Sequence, residues 1–253
     1  MAKRNNWTKE ETIIAFNVYC KVPFKSSSKT HPTIIKYAHI IGRSPSALNM
    51  KVGNFGRLDP ELRKRGITGL VHGSKLEEEV WGEFNGNWDE LAYESELLKL
   101  GEKSIQELKE MDPKLFPQGT DRETLVKTRI NQSFFRSTVL SSYNTKCCIT
   151  GLSTPELLVA SHIIPWSANP ENRTNPHNGL CLNSIHDRAF DRGLITISPD
   201  YKVLISDYVE SYSQDKAINN LFRKYLNQSI ILPDRFLPSK EFLDYHYKIL
   251  FKK

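Results

Sequence analysis

Leu157 to Pro165 is a short hydrophobic run closed by a proline, too short for an ordinary helix, and it reads as a strand. A polar loop follows, Trp166 to His177, with turn signals at Asn169-Pro170 and Asn175-Pro176. Asn178-Gly179-Leu180-Cys181-Leu182 is a second brief strand, after which Asn183 or Ser184 caps a helix containing Ile185, His186, Ala189 and Phe190. The order strand, loop, strand, helix is punctuated by His162, Asn178 and His186. A small α+β unit is therefore expected here.

The flanking residues supply the rest of that unit. A helix is expected from Asp121 through Leu125, Val126, Ile130, Phe134, Phe135, Val139 and Leu140, with Arg122, Lys127, Arg129 and Arg136 at its polar positions. Leu194–Ile197 and Lys202–Ile205 flank Ser198-Pro199-Asp200-Tyr201 as a hairpin. The tail from Ser239 to Phe251 repeats Phe242, Leu243, His246, Ile249 and Leu250 at helical spacing, with His246 in a structural role.

Before this unit the chain reads as short helices. Thr8 with Glu11 forms a capping box ahead of Ile13, Ile14, Phe16 and Val18. Pro32 precedes Ile34, Ile35, Ala38 and Ile41, and Ser44-Pro45 opens a third helix after a turn at Gly42-Arg43. Helix, tight turn and a helix bearing Asn49, Lys51 and Asn54 is the layout by which helix-turn-helix modules offer polar side chains to a major groove. The opening W-T-x-E-E also resembles the Myb-like DNA-binding class. A small helical packing domain would show the same apolar spacing.

Residues 74–110 read as acidic helices broken near Gly86, with Glu77, Glu78 and Glu79 as a solvated face, and Met111–Thr120 reads as a linker. Three segments result: a DNA-binding domain at 1–70, an acidic helical spacer and linker at 71–120, and the α+β domain at 121–253. Charge follows the same division. Residues 1–70 carry 13 Lys/Arg against 4 Asp/Glu, 71–120 carry 5 against 12, and 121–253 carry 17 against 13. Two basic regions around an acidic one suit two surfaces facing a polyanion. Cys20, Cys147, Cys148 and Cys181 do not form spaced pairs, so free thiols are expected rather than a disulfide framework or a structural zinc. No signal-peptide run opens the chain and no apolar stretch suffices to span a bilayer, so no membrane partner is expected and the default location is cytoplasmic.

Taken together, Cys147-Cys148-Ile149-Thr150-Gly151, S-H-I-I-P-W from Ser161, N-G-L-C-L from Asn178 and H-D-x-A-F-D-x-G-L-I from His186 resemble the HNH endonuclease family. The closer likeness is to its restriction-type branch, over roughly residues 121–250. The resemblance implies a ββα-metal nuclease domain behind a mostly helical DNA-binding domain. It implies that His162 is the general base that activates water, that Asn178 braces the loop, and that His186 holds a single divalent ion. Magnesium is expected, with manganese, zinc or nickel as alternatives. The products would carry a 5′-phosphate and a 3′-hydroxyl.

Phosphodiester hydrolysis itself asks for a base, a counter-charge for the phosphoryl oxygens and help for the leaving oxygen. An imidazole that is neutral near pH 7 meets the first need, and a helix-held ion meets the others. Arg43, Asn49, Lys51, Asn54, Arg129, Arg173, Arg188 and Arg192 are the candidate DNA contacts. Double-stranded DNA is the expected partner, with a homodimer as the simplest route to cutting both strands. Ser161 departs from the family, which places aspartate or histidine there to help bind the ion. Either Ser161 acts through a bound water, or another residue such as Asp187, Asp191 or His177 fills that role. The alternative reading is a DNA-binding regulator with an impaired HNH scaffold. An RNA-directed nuclease ranks lower, since no RNA-binding motif is visible.

Overall fold

The computed structural model describes residues 6–67, 73–110 and 122–253, without the side chains of 100–110, 122, 123 and 125. The expected linker at Met111–Thr120 lies outside the described residues. The chain divides into two compact units, Met1–Thr138 and Val139–Lys253. The boundary falls inside a helix that the sequence analysis assigned wholly to the second domain.

The first unit is built around α1, Lys9–Lys21. Its capping box forms as expected, Glu11 N–H donating to Thr8 Oγ1 at 3.2 Å and Thr8 N–H to Glu11 Oε2 at 3.0 Å. Every residue from Thr12 to Cys20 is buried, so the helix is enclosed on all sides rather than along one stripe. It is covered by α2 (Pro32–Ile40), α3 (Pro45–Phe55), α5 (Lys75–Phe84) and α6 (Trp88–Glu110), while α4 (Pro60–Lys64) follows α3. Phe16 stacks on Phe55 at 4.9 Å and meets Trp81 at 5.0 Å. Each such ring contributes roughly 2 kcal/mol of burial. Two buried polar groups on α1 find side-chain acceptors, Tyr19 Oη donating to Asp59 at 2.6 Å and Asn17 Nδ2 to Ser95 at 2.6 Å, while Asn17 Oδ1 has no partner among the described residues.

α2 and α3 are joined by a short turn with Gly42 at φ +65°. The expected reading residues, however, point elsewhere. Lys51 is 4% exposed and bonds Glu77 Oε1 at 2.8 Å, and Asn54 donates to the same oxygen at 3.0 Å. Arg43 clasps both oxygens of Glu11 at 2.9 and 2.7 Å, and Asn49 accepts from Ser27 Oγ at 2.9 Å. The exposed side of α3 instead carries Ser46, Met50 and Gly53, which offers no cation to a phosphate. Glu77 is correspondingly not part of a solvated face. It is fully buried, holds Lys51 and Arg57, and completes a capping box with Ser74. Burial would raise its pKa, but its bonds to Lys51 and Asn54 prevail and keep the carboxyl below its ordinary value. The acidic segment thus packs on α1 through α5 and α6.

In α7 (Arg122–Ser142) Phe134 lies beneath Lys21, whereas Ser142, at the other end, accepts from Asp234 N–H at 2.9 Å in the second unit. There β1 (Leu158–His162) pairs antiparallel with β2 (Gly179–Asn183), His162 opposite Gly179 and Ser161 opposite Leu180. α8 (Ser184–Asp191) follows directly and packs on both strands. The expected hairpin forms from β3 (Ile195–Ile197) and β4 (Val203–Ile205). The sequence analysis assigned no structure to the next segment, which contains α9 (Asp207–Glu210) and α10 (Lys216–Leu221). α11 (Lys240–Tyr245) runs into a π-turn at His246–Leu250. Gly193, φ +67°, is required where the chain leaves α8, because a Cβ there would sit 2.0 Å from the Leu250 carbonyl oxygen.

His246 closes this unit. It is 1% exposed, stacks on Phe190 at 3.7 Å, accepts from Thr196 Oγ1 at 2.8 Å and donates to the Phe190 carbonyl at 3.2 Å. Burial depresses its pKa to about 4. The unfolded chain binds that proton below an ordinary histidine pKa of about 6.5, whereas the folded chain resists it. Stability is therefore fully present above about pH 6.5 and declines as the pH falls toward about 4, by up to about 3 kcal/mol. Urea unfolding of the native chain and of His246→Gln across that range checks it. The variant should lose most of the slope.

Candidate active site

Strand pairing sets the site. With His162 ending β1 and Gly179 opening β2, the chain between them must return as a loop, and Asn178 stands at its close. Asn178 is 1% exposed and spans the loop with three bonds. Its Oδ1 accepts from Ile164 N–H at 2.8 Å, while Nδ2 donates to the carbonyls of Ile164 and Asn172, both at 3.1 Å. Only an amide presents an acceptor and donors side by side in this way.

That loop orients His162. Its Nε2 lies 2.8 Å from the Arg173 carbonyl, which can only accept, so Nε2 carries the proton and Nδ1 is the basic nitrogen. The ring meets Trp166 edge-on at 5.5 Å. Arg173 stays in place because its Nε donates to the Trp166 carbonyl at 2.8 Å and its guanidinium lies over the Trp166 ring. Burial lowers the pKa of His162, against weaker opposing effects from the Arg173 carbonyl and the negative charge of Asp191. The imidazole is thus neutral at physiological pH.

His186 does something other than expected. It is 2% exposed and both ring nitrogens are engaged: Nε2 donates to the Leu221 carbonyl at 2.7 Å, and Nδ1 accepts from Asn183 Nδ2 at 2.8 Å. Phe222 and Tyr225 meet the ring edge-on. A ring enclosed in this way has no lone pair to offer an ion. It belongs to a hydrogen-bonded staple, in which Asn183 Nδ2 also faces Thr150 Oγ1 at 3.4 Å and Cys147 Sγ at 3.7 Å. Asn183 Oδ1 meanwhile caps α8 by accepting from Ile185 and His186 N–H. Burial pushes the Cys147 thiol up, yet its bonds with His186 and Thr150 prevail and bring it down to about 7.

One residue further round α8, the Asp187 side chain faces β1. Burial raises the pKa of Asp187, and the charge of Asp191 raises it further, against the Ser161 hydroxyl and Arg188. The protein around Asp191 likewise raises its carboxyl, with Arg188 and His162 opposing. Ser161 Oγ is buried and makes no hydrogen bond of ordinary length among the described residues, although it lies close enough to Asp187 to favour the ionised form. Two carboxylates one helical turn apart and an orphaned hydroxyl form an oxygen donor set of the kind preferred by hard cations. Among the described residues no three His, Cys, Asp or Glu side chains enclose an ion, so water and a substrate phosphate would complete the coordination.

The family comparison agrees with this geometry. Residues 147–198 match the family model described as HNH endonuclease. The matched segment runs from Cys147 of the staple through β1, the loop, β2, α8 and β3. No curated protein matches the chain. Of the remaining candidates, Arg188 and Arg192 are exposed on and just after α8, and Arg173 is tied to Trp166. Arg129 lies in the helical unit. His177 is bonded through Nδ1 to the Leu237 carbonyl at 2.7 Å and supports the carboxy-terminal segment. No helix among the described residues is long and apolar enough to cross a membrane.

Proposed function

We propose that the chain is a metal-dependent DNA endonuclease in which His162 activates the attacking water. The observation that carries this reading is geometric: His162 Nε2 is held at 2.8 Å from the Arg173 carbonyl, which makes Nδ1 the base, and α8, with Asp187 and Asp191, packs on the strand that bears this ring. His162 accepts the water proton at Nδ1, and the Arg173 carbonyl stabilises the imidazolium that results. Asn178 holds the loop that carries this carbonyl. Asp187 and Asp191, with Ser161, would hold a divalent ion, magnesium by donor type. Bound there, the ion supplies positive charge to the scissile phosphate and its departing oxygen. Arg188 and Arg192 grip neighbouring phosphates. The products are 5′-phosphate and 3′-hydroxyl ends, and the role is of restriction type, with a second copy serving the opposite strand.

The test is cleavage of a diverse DNA library at graded Mg²⁺ and Mn²⁺, with sequencing of the ends. Asp187→Asn and Asp191→Asn should each raise the ion concentration for half-maximal cutting by tenfold or more, or abolish cutting, while DNA binding persists. Binding without cutting under every ion would leave the regulator reading instead. An ion requirement unchanged in both variants would remove the carboxylates from the site.

A further inference from the structure

A cavity of about 460 Å³ opens within the helical unit, remote in sequence from the nuclease motif. It is lined from α1 by Lys21, from α2 by Lys36 and Tyr37, from α6 by Lys99 and from α7 by Arg129 and Phe134. Four cations therefore line one recess. The carboxylate among them, Glu96, is already in contact with Lys99. Lys36 and Arg129 reach the recess from exposed positions, whereas the Lys21 ammonium is enclosed in its wall, and desolvating an ammonium costs several kcal/mol.

Lys21 makes the point most sharply. Its ammonium is sunk in the wall between the Tyr37 ring at 5.9 Å and the Phe134 ring at 5.7 Å, and no hydrogen-bond acceptor meets it among the described residues. Burial brings its pKa down to about 8. The groups acting on it are Glu96, which favours the charged form, and Lys99 and Lys36, which oppose it, with Cys20 from its own helix. Tyr37, pushed up to about 12 by burial and Glu96, keeps its proton and can only donate to an anion or accept from Lys21. Hydroxyls of Thr33 and Ser133 complete the wall with further donors, while Ser137 Oγ donates to the Ser133 carbonyl at 2.6 Å. Convergent ammonium, guanidinium and hydroxyl donors are the recognition chemistry of a phosphate dianion. The volume leaves room for a group about the size of a nucleoside.

We propose that this cavity binds a phosphate monoester carried on a nucleoside, with Lys21 and Arg129 as the principal ligands of the phosphate. Two sources share that chemistry, a free nucleotide and the terminal phosphate of a DNA strand. The site stands independently of the endonuclease reading, since no residue of the HNH segment lines it.

Isothermal titration of the full chain with inorganic phosphate, deoxyadenosine 5′-monophosphate, and an oligonucleotide with or without a 5′-phosphate distinguishes them. Saturable binding of one equivalent of monophosphate is expected. A free-nucleotide site would bind the mononucleotide better than the oligonucleotide, and a strand-end site would bind the 5′-phosphorylated oligonucleotide best. Lys21→Met and Arg129→Gln should each weaken binding about tenfold or more. At pH 8.5, where Lys21 is largely neutral in the unliganded protein and the phosphate is dianionic, binding by the native chain should take up a proton, and binding by Lys21→Met should not. Arg129→Gln retains Lys21 and should still take up the proton, which keeps the test decisive if Lys21→Met fails to fold. No saturable binding of any of these phosphates, or binding without proton uptake in the native chain, would overturn the proposal.

Discussion

Replacement of His162 by alanine is expected to reduce DNA cleavage by about 10²–10⁴-fold while leaving DNA binding within a few-fold of the native chain. The asymmetry follows from the geometry. The ring is half-buried, its Nε2 is committed to the Arg173 carbonyl, and its remaining nitrogen is the basic one. Removing it takes away proton acceptance without removing a cation from the surface. Burial holds its pKa below the ordinary histidine value of about 6.5, so the basic form is present to lower pH than usual. The acid limb of the pH–rate profile should accordingly lie below about 6.5, with a plateau through neutrality. Single-turnover cleavage of a DNA substrate at saturating ion, measured from pH 5 to 9, reads both effects. A variant that cuts within tenfold of the native chain, or a native limb centred well above pH 7, would exclude His162 as the base.

Where local pattern decided the structure, the sequence was sufficient. The caps at Thr8, Ser44 and Asn183, the glycine break at Gly86 and the ββα order all follow from short-range chemistry, and each forms. Where the outcome depended on which helical face turns inward, motif spacing misled. His186 shares its face with Ala189 and Phe190, both buried, whereas Asp187 and Asp191 stand four apart on another face. The same periodicity that predicted α8 therefore already held the signal that the histidine points into the core. Likewise Lys51 shares the inward face of α3 with Leu48, Val52 and Phe55, so a helix of recognition type presents its polar groups to Glu77 rather than to solvent. Two features had no local signal. Leu221, which accepts from His186, lies 35 residues further on, and α7 runs across the boundary of the two units because its ends pack against different partners.

Asn178 provides the sharpest separation of loop architecture from chemistry. Asn178→Ala leaves one buried N–H and two buried carbonyls without their partners, at about 1–3 kcal/mol each, so a loss of roughly 3–5 kcal/mol is expected in the carboxy-terminal unit. Asn178→Asp is nearly isosteric, but its second oxygen would face the Ile164 and Asn172 carbonyls, where the native amide donates. The introduced carboxyl can relieve this repulsion only by taking a proton, which raises its folded-state pKa above the unfolded value of about 3.9. Stability is then retained below the unfolded pKa and lost as the pH rises through the folded one. The penalty relative to the native chain should therefore grow from acid to neutral pH for the aspartate variant and stay nearly constant for the alanine variant. Urea unfolding at several pH values measures the contrast. Because the same loop presents the Arg173 carbonyl to His162, the aspartate variant should regain part of its cleavage rate along with its stability at the acid end. Two variants with parallel pH dependence would show that Asn178 does not bridge these carbonyls.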